Sequence, residues 1–132
     1  MSIKIVDNPK TLNINGENFK VVQNYGEILK RLLQGKSVVH WEGGNSLHPI
    51  IRDMEYCKIL PIYYKNVKKG MCVFCELEDG TLMVHRVNDI ITRDDRHWFQ
   101  IGDTWGNVFG WSKDIFGLAE PTNIFQSVEN FK

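Results

Sequence analysis

The chain has three cysteines, four prolines, no excess of either charge and no long apolar run. Each of these scarcities removes a class of explanation. Cys57, Cys72 and Cys75 are an odd set, too few for a disulfide framework and in keeping with reduced thiols. Cys72 and Cys75 stand three apart in an extended run, which sends their side chains to opposite faces, so no metal site is expected there. Sixteen basic residues balance sixteen acidic ones, leaving no global field to draw in nucleic acid or an anionic membrane surface. Lys65, Lys68 and Lys69 form the densest basic group, but no aromatic ladder accompanies them and a solvated loop is the reading. No segment approaches the ~20 consecutive apolar residues of a spanning helix, and the start, Met1-Ser2-Ile3-Lys4-Ile5-Val6-Asp7, lacks the apolar core of a secretory signal. The expectation is a cytoplasmic protein with no membrane anchor, no nucleic-acid partner and no cofactor.

What the chain does have is enough apolar residue for one core: 42% of 132 positions, which suits a single domain over residues 1–132. Residues 1–40 read as short strands and one helix. Asn-Pro and Asn-Gly turn signals break residues 3–19 into short extended pieces, and Phe19-Lys20-Val21-Val22 reads as a strand. Tyr25, Ile28, Leu29, Leu32 and Leu33 recur at helical spacing and Gly35 stands where a helix would stop, which predicts a short amphipathic helix over 25–34. Ser37 to Trp41 then reads as a strand. Further β-type runs follow at 56–64, 71–77, 82–88 and 97–101, and Glu78-Asp79-Gly80-Thr81 is a strong hairpin connection between the second and third of these. That hairpin puts His85 opposite the strand containing Cys72 and Cys75. The fold class is mainly β with one N-terminal helix.

Three short segments carry chemistry. Gly44-Asn45-Ser46-Leu47-His48-Pro49 presents a serine in a glycine-containing turn. Val84-His85-Arg86-Val87 projects a histidine from a strand, sharing a face with Met83 and Val87. Together they supply a hydroxyl nucleophile and a base able to take its proton. Gly102-Asp103 follows a strand and could supply a carboxylate to orient the imidazole. Taken singly, each has a plain structural alternative: turn serine, packed strand histidine, and a turn aspartate capping its neighbours. His40, His48 and His97 read as structural, and Trp98, Trp105 and Trp111 as packing residues.

In order and type these segments resemble the serine peptidase superfamily that contains the type I signal peptidases and the self-cleaving SOS repressors. The family pattern runs Gly-x-Ser-Met-x-Pro, a Gly-Asp before a hydrophobic strand, Lys-Arg-Val or His-Arg-Val, a second Gly-Asp, and a closing Ile-x-Gly. Here it reads Gly44 to Pro49, Lys69-Gly70-Met71-Cys72-Val73-Phe74, Val84 to Val87, Gly102-Asp103 and Ile115-Phe116-Gly117, covering residues 43–119 as a peptidase-like core. Leu47 stands where methionine is usual, Met54-Glu55 where Gly-Asp is expected after the proline, and Met71 where aspartate follows Gly70. His85 matches the branch that uses histidine where bacterial relatives use lysine.

The resemblance implies a signal-peptidase-like β-fold and a serine endopeptidase acting on a protein or peptide. Ser46 would be the nucleophile, His85 the base and Asp103 its orienting acid. Backbone N–H groups of Asn45 and Ser46 would bind the oxyanion, and Leu47 and Pro49 would contact substrate. Two alternatives stay open: a non-catalytic binding or assembly protein on the same fold, such as a virion component, and a self-processing factor cut within the first 40 residues, where Asn13-Ile14-Asn15-Gly16 is the candidate segment. A homo-oligomer is compatible with all three.

Overall fold

A computed structural model describes residues 3–127. It is built on strands β1 (Lys4–Val6), β2 (Thr11–Ile14), β3 (Glu17–Lys20), β4 (Val38–Trp41), β5 (Glu55–Pro61), β6 (Cys72–Glu76), β7 (Leu82–Arg93), β8 (Arg96–Gly102), β9 (Val108–Ser112) and β10 (Asp114–Gln126), with one α-helix, α1 (Tyr25–Leu33). Eight strands form one sheet in the order β4-β5-β10-β6-β7-β8-β9, with β1 pairing in parallel to β10; β2 and β3 make a separate hairpin. The mainly-β class with one short helix is what the periodicities predict.

The helix forms where the apolar spacing placed it. Asn24 caps it, its side-chain oxygen accepting the Glu27 N–H at 2.9 Å, and Gly35, at φ +79°, follows its end. Ile28 and Leu32 are buried against Val38, Ile59, Phe74 and Ala119, whereas Leu33 is 70% exposed and so lies outside the packing stripe. An Asn24→Ala variant should lose about 1 kcal/mol of unfolding free energy, read from a denaturant titration, because the Glu27 donor is left to solvent.

Asn15-Gly16 turns the β2–β3 hairpin, with positive φ at both residues. The segment Asn13-Ile14-Asn15-Gly16 is therefore part of a paired hairpin, further tied by Asn13 Nδ2 to Asn18 Oδ1 at 3.0 Å. The candidate cut segment is thus held in regular strand pairing and its turn. A strand does lie beside Phe19, at Glu17–Lys20, and Val21 makes only an isolated bridge to Val39.

Register explains where the chemistry falls. β6 and β7 pair so that His85 faces Val73, as the Asp79-Gly80 turn required. Cys72 sits in the core beneath the helix and Cys75 in a second core with Val73, Val87, Phe99 and Ile101, on the other face of the sheet. β10 is central, pairing with β5 on one side and β6 on the other. Its register shifts after Pro121, where a residue without an N–H is tolerated.

Candidate active site

Strand β4 ends at Trp41 and the chain passes through Glu42, Gly43 and Gly44 into the serine turn. Gly44, at φ +103°, takes a backbone conformation that a side chain would resist. Its N–H is held by Asp53 Oδ1 at 2.7 Å. Leu47 then turns inward: it is 6% exposed and packs in the core with Ile51 and Val84. The expectation that Leu47 contacts substrate is thereby corrected, since burial of this side chain anchors the turn and leaves nothing to present. Pro49 is exposed and follows a cis His48–Pro49 bond.

The serine turn is docked on the residues that follow Asp103. Thr104 N–H donates to the Ser46 carbonyl at 2.9 Å. The Thr104 hydroxyl donates to the His48 carbonyl at 2.6 Å, and Trp105 Nε1–H donates to the Asn45 carbonyl at 3.0 Å. Carbonyls of 45, 46 and 48 are thus drawn toward the Thr104–Trp105 turn. Among the described residues, the N–H groups of Asn45 and Ser46 donate to no backbone acceptor.

His85 stands at the Gly102 end of the β7–β8 ladder, on the sheet face opposite Val84. Arg86 pairs with Gly102 and Val87 with Ile101, and Asp103, the residue after β8, is near enough for its charge to act on His85. The Phe109 ring of β9 packs edgewise on the imidazole, 4.6 Å between centroids. Partial burial pushes the His85 pKa below its usual value, and the negative charge of Asp103 opposes this. The ring is therefore neutral, with a lone pair to offer, near pH 7.

Asp103 is committed elsewhere. Oδ1 accepts the N–H groups of Trp105 and Asn107, each at 2.9 Å, and Oδ2 accepts Asn107 Nδ2 at 2.7 Å. These bonds, that of the Asn107 side chain foremost, hold its carboxyl below the usual range. His85 Nδ1 is buried and has no hydrogen-bond partner. Asp103 thus acts on the imidazole through its charge rather than through the tautomer-fixing hydrogen bond expected of it. Its hydrogen bonds shape the turn that grips Ser46. The capping role that is ordinary for a turn aspartate and a place beside the histidine coexist in one residue.

Among the described residues no hydrogen bond links the Ser46 hydroxyl to His85. Ser46 instead lines a cavity of about 20 Å³ with His40, Glu42, Arg52, Glu55 and Val84. The pair His40 and Glu42 was missed in the sequence, where the only signal is their two-residue spacing on a strand just before the glycines. Thr104 and Trp105 were missed as well. Trp105, expected to pack, is 67% exposed, and Val108 and Phe109 of β9 are exposed as well, Phe109 with its ring against His85.

Because the folded-state pKa of His85 is lowered, the unfolded chain binds more protons as pH falls below about 6.5, and stability must fall in that direction. The His85→Gln variant should therefore show a flatter dependence of its denaturant midpoint between pH 5 and 7 than the wild type; burial also lowers the His40 pKa but raises that of its partner Glu42 to about 7, so that pair contributes slopes of opposite sign.

No helix among the described residues is long and apolar enough to cross a membrane. No family model, curated protein or solved structure matches the chain.

Proposed function

We propose that the protein is a serine endopeptidase of the signal-peptidase and SOS-repressor type, with Ser46 as nucleophile and His85 as its general base. The observation that supports this reading is the docking of the Ser46 turn on Thr104 and Trp105, directly after Asp103, whose charge acts on His85. The Ser46 turn and the His85 strand are each tied to the segment at the end of β8.

In the proposed reaction His85 takes the Ser46 proton as Oγ attacks the scissile carbonyl. The tetrahedral oxyanion is met by the undonated N–H groups of Asn45 and Ser46. The imidazolium, stabilised by the charge of Asp103, returns the proton to the leaving amine, and the acyl-enzyme is then hydrolysed by water activated in the same way. Catalytic hydrogen bonds tighten in the substrate complex; the relay requires Ser46 Oγ to come within hydrogen-bond reach of His85, whose strand neighbours Met83 and Val87 pack on the face opposite Val84 and the Ser46 cavity. β9 is the last strand in the sheet order and carries Phe109 against His85.

The exposed side chains of Trp105, Val108 and Phe109 also suit a second reading, a peptide-binding module without turnover. Incubation with a mixed peptide library, followed by mass spectrometry of new termini, separates the two. The wild type is expected to generate cleavage products that Ser46→Ala does not. Equal absence of products from both proteins would favour the binding module.

A further inference from the structure

The couple at the edge of the cavity, His40 and Glu42, is unused by the reaction above. His40 is 3% exposed at the end of β4. Its Nδ1 lies 3.0 Å from the Val22 carbonyl oxygen and its Nε2 lies 2.9 Å from Glu42 Oε1. A carbonyl only accepts, so Nδ1 must carry a hydrogen. That leaves Nε2 facing the carboxyl oxygen across a gap that needs one proton. Either neutral imidazole accepts from a protonated Glu42, or imidazolium donates to its carboxylate. Without that proton, two lone pairs confront each other at hydrogen-bond distance.

We propose that His40 and Glu42 are positioning residues for the nucleophile, holding one shared proton whose loss releases Glu42 and loosens the Ser46 turn. The inference rests on the peptidase reading for its catalytic consequence only. Burial raises the Glu42 pKa to about 7 and lowers that of His40, which places the release close to neutrality. The route to Ser46 is short. The Glu42 carbonyl accepts Met54 N–H at 3.1 Å, only Gly43, Gly44 and Asn45 intervene, and Ser46 shares the cavity with both members of the couple. The cavity has the volume of about one water. The Glu42 side chain is 34% exposed, so it has a way out toward solvent.

Other groups around the couple are accounted for. Tyr25 of α1 packs on the His40 ring, 5.4 Å between centroids. Arg52 is paired with Glu55 of β5 at 3.2 Å. The Cys57 thiol is pushed far up by burial and stays protonated. β7 contributes only Val84 to the cavity.

The test follows the full chain by NMR from pH 5 to 9, reading the His40 ring nitrogens and the Ser46 amide, in wild type, Glu42→Gln and His85→Gln. His40 and Ser46 should move with one common midpoint near pH 7 in the wild type, and the same midpoint should persist in His85→Gln. In Glu42→Gln the carboxamide donates to Nε2 at every pH, so the Ser46 inflection should vanish. Separate midpoints for His40 and Ser46 in the wild type would overturn the proposal, whether or not Glu42→Gln folds. An inflection unchanged in Glu42→Gln would overturn it too. Reaction with a fluorophosphonate should decline above pH 7 in the wild type and stay level in Glu42→Gln. A chain inert to that reagent at all pH values counts against the peptidase reading alone, since the NMR readout needs no turnover.

Discussion

On the proposed peptidase reading, replacement of His85 by alanine should lower kcat/KM for peptide hydrolysis by about 10²–10⁴, the usual contribution of a positioned general base. Most of the loss should appear in kcat, because His85 meets substrate only as a proton carrier. Ser46→Ala should cost at least as much, on the order of 10³–10⁶. On that reading nucleophile and base act as one device, so the double variant should be scarcely worse than either single one. Steady-state kinetics on one cleavable peptide, with matched unfolding midpoints to show intact folds, gives the comparison. Losses that multiply in the double variant would mean that the two residues act independently.

The second large effect is expected at Gly102, the residue before Asp103. A Cβ built on Gly102 would fall deep inside van der Waals contact with the Asn107 carbonyl oxygen and the Asn88 side-chain nitrogen. The Asn107 carbonyl is fixed in turn, accepting Asp103 N–H at 3.0 Å, while Asn107 N–H binds Asp103 Oδ1. Asn88 Nδ2 donates to the Asp103 carbonyl at 3.2 Å. Neither neighbour can yield without opening the turn that bears Thr104. Gly102→Ala should therefore destabilise the fold by about 1–3 kcal/mol, the range for overpacking. Its peptidase activity should fall by a larger factor than the population of unfolded chain explains, because the grip on the Ser46 turn is lost. A denaturant midpoint and a kcat/KM measured on the same preparation test both halves. Activity that tracks the folded fraction alone would show that the turn does not position the serine.

Parts of this arrangement were legible in the sequence for identifiable reasons. The helix follows from apolar spacing at Ile28 and Leu32 and a stop at Gly35, and the β6–β7 hairpin from Asp79-Gly80, whose preferred turn fixes His85 against Val73. β7 runs on to Arg93, past the 82–88 read for it, because a register shift between Val87 and Asp89 interrupts the alternation. β9 and β10 were not read. Gly110, Gly117 and Pro121 interrupt them, yet Gly117 is where β10 comes against Ile59 and Leu32 too closely for a side chain, so its absence of Cβ is a packing requirement. Leu47 was misplaced because a turn leucine beside the nucleophile gives no local clue to its direction; burial with Val84 decides it. Asp103 was found as a residue, but not the three hydrogen bonds that occupy it, which depend on Asn107 curling back after strand β8.

Reaction with a fluorophosphonate, followed by intact mass and peptide mapping, bears most directly on the claim that the hydroxyl at position 46 is an activated nucleophile. One adduct per wild-type chain, mapped to Ser46, absent in Ser46→Ala and strongly slowed in His85→Ala, is the predicted result. A wild-type chain that stays unmodified, or an adduct mapped to any other residue, would contradict it.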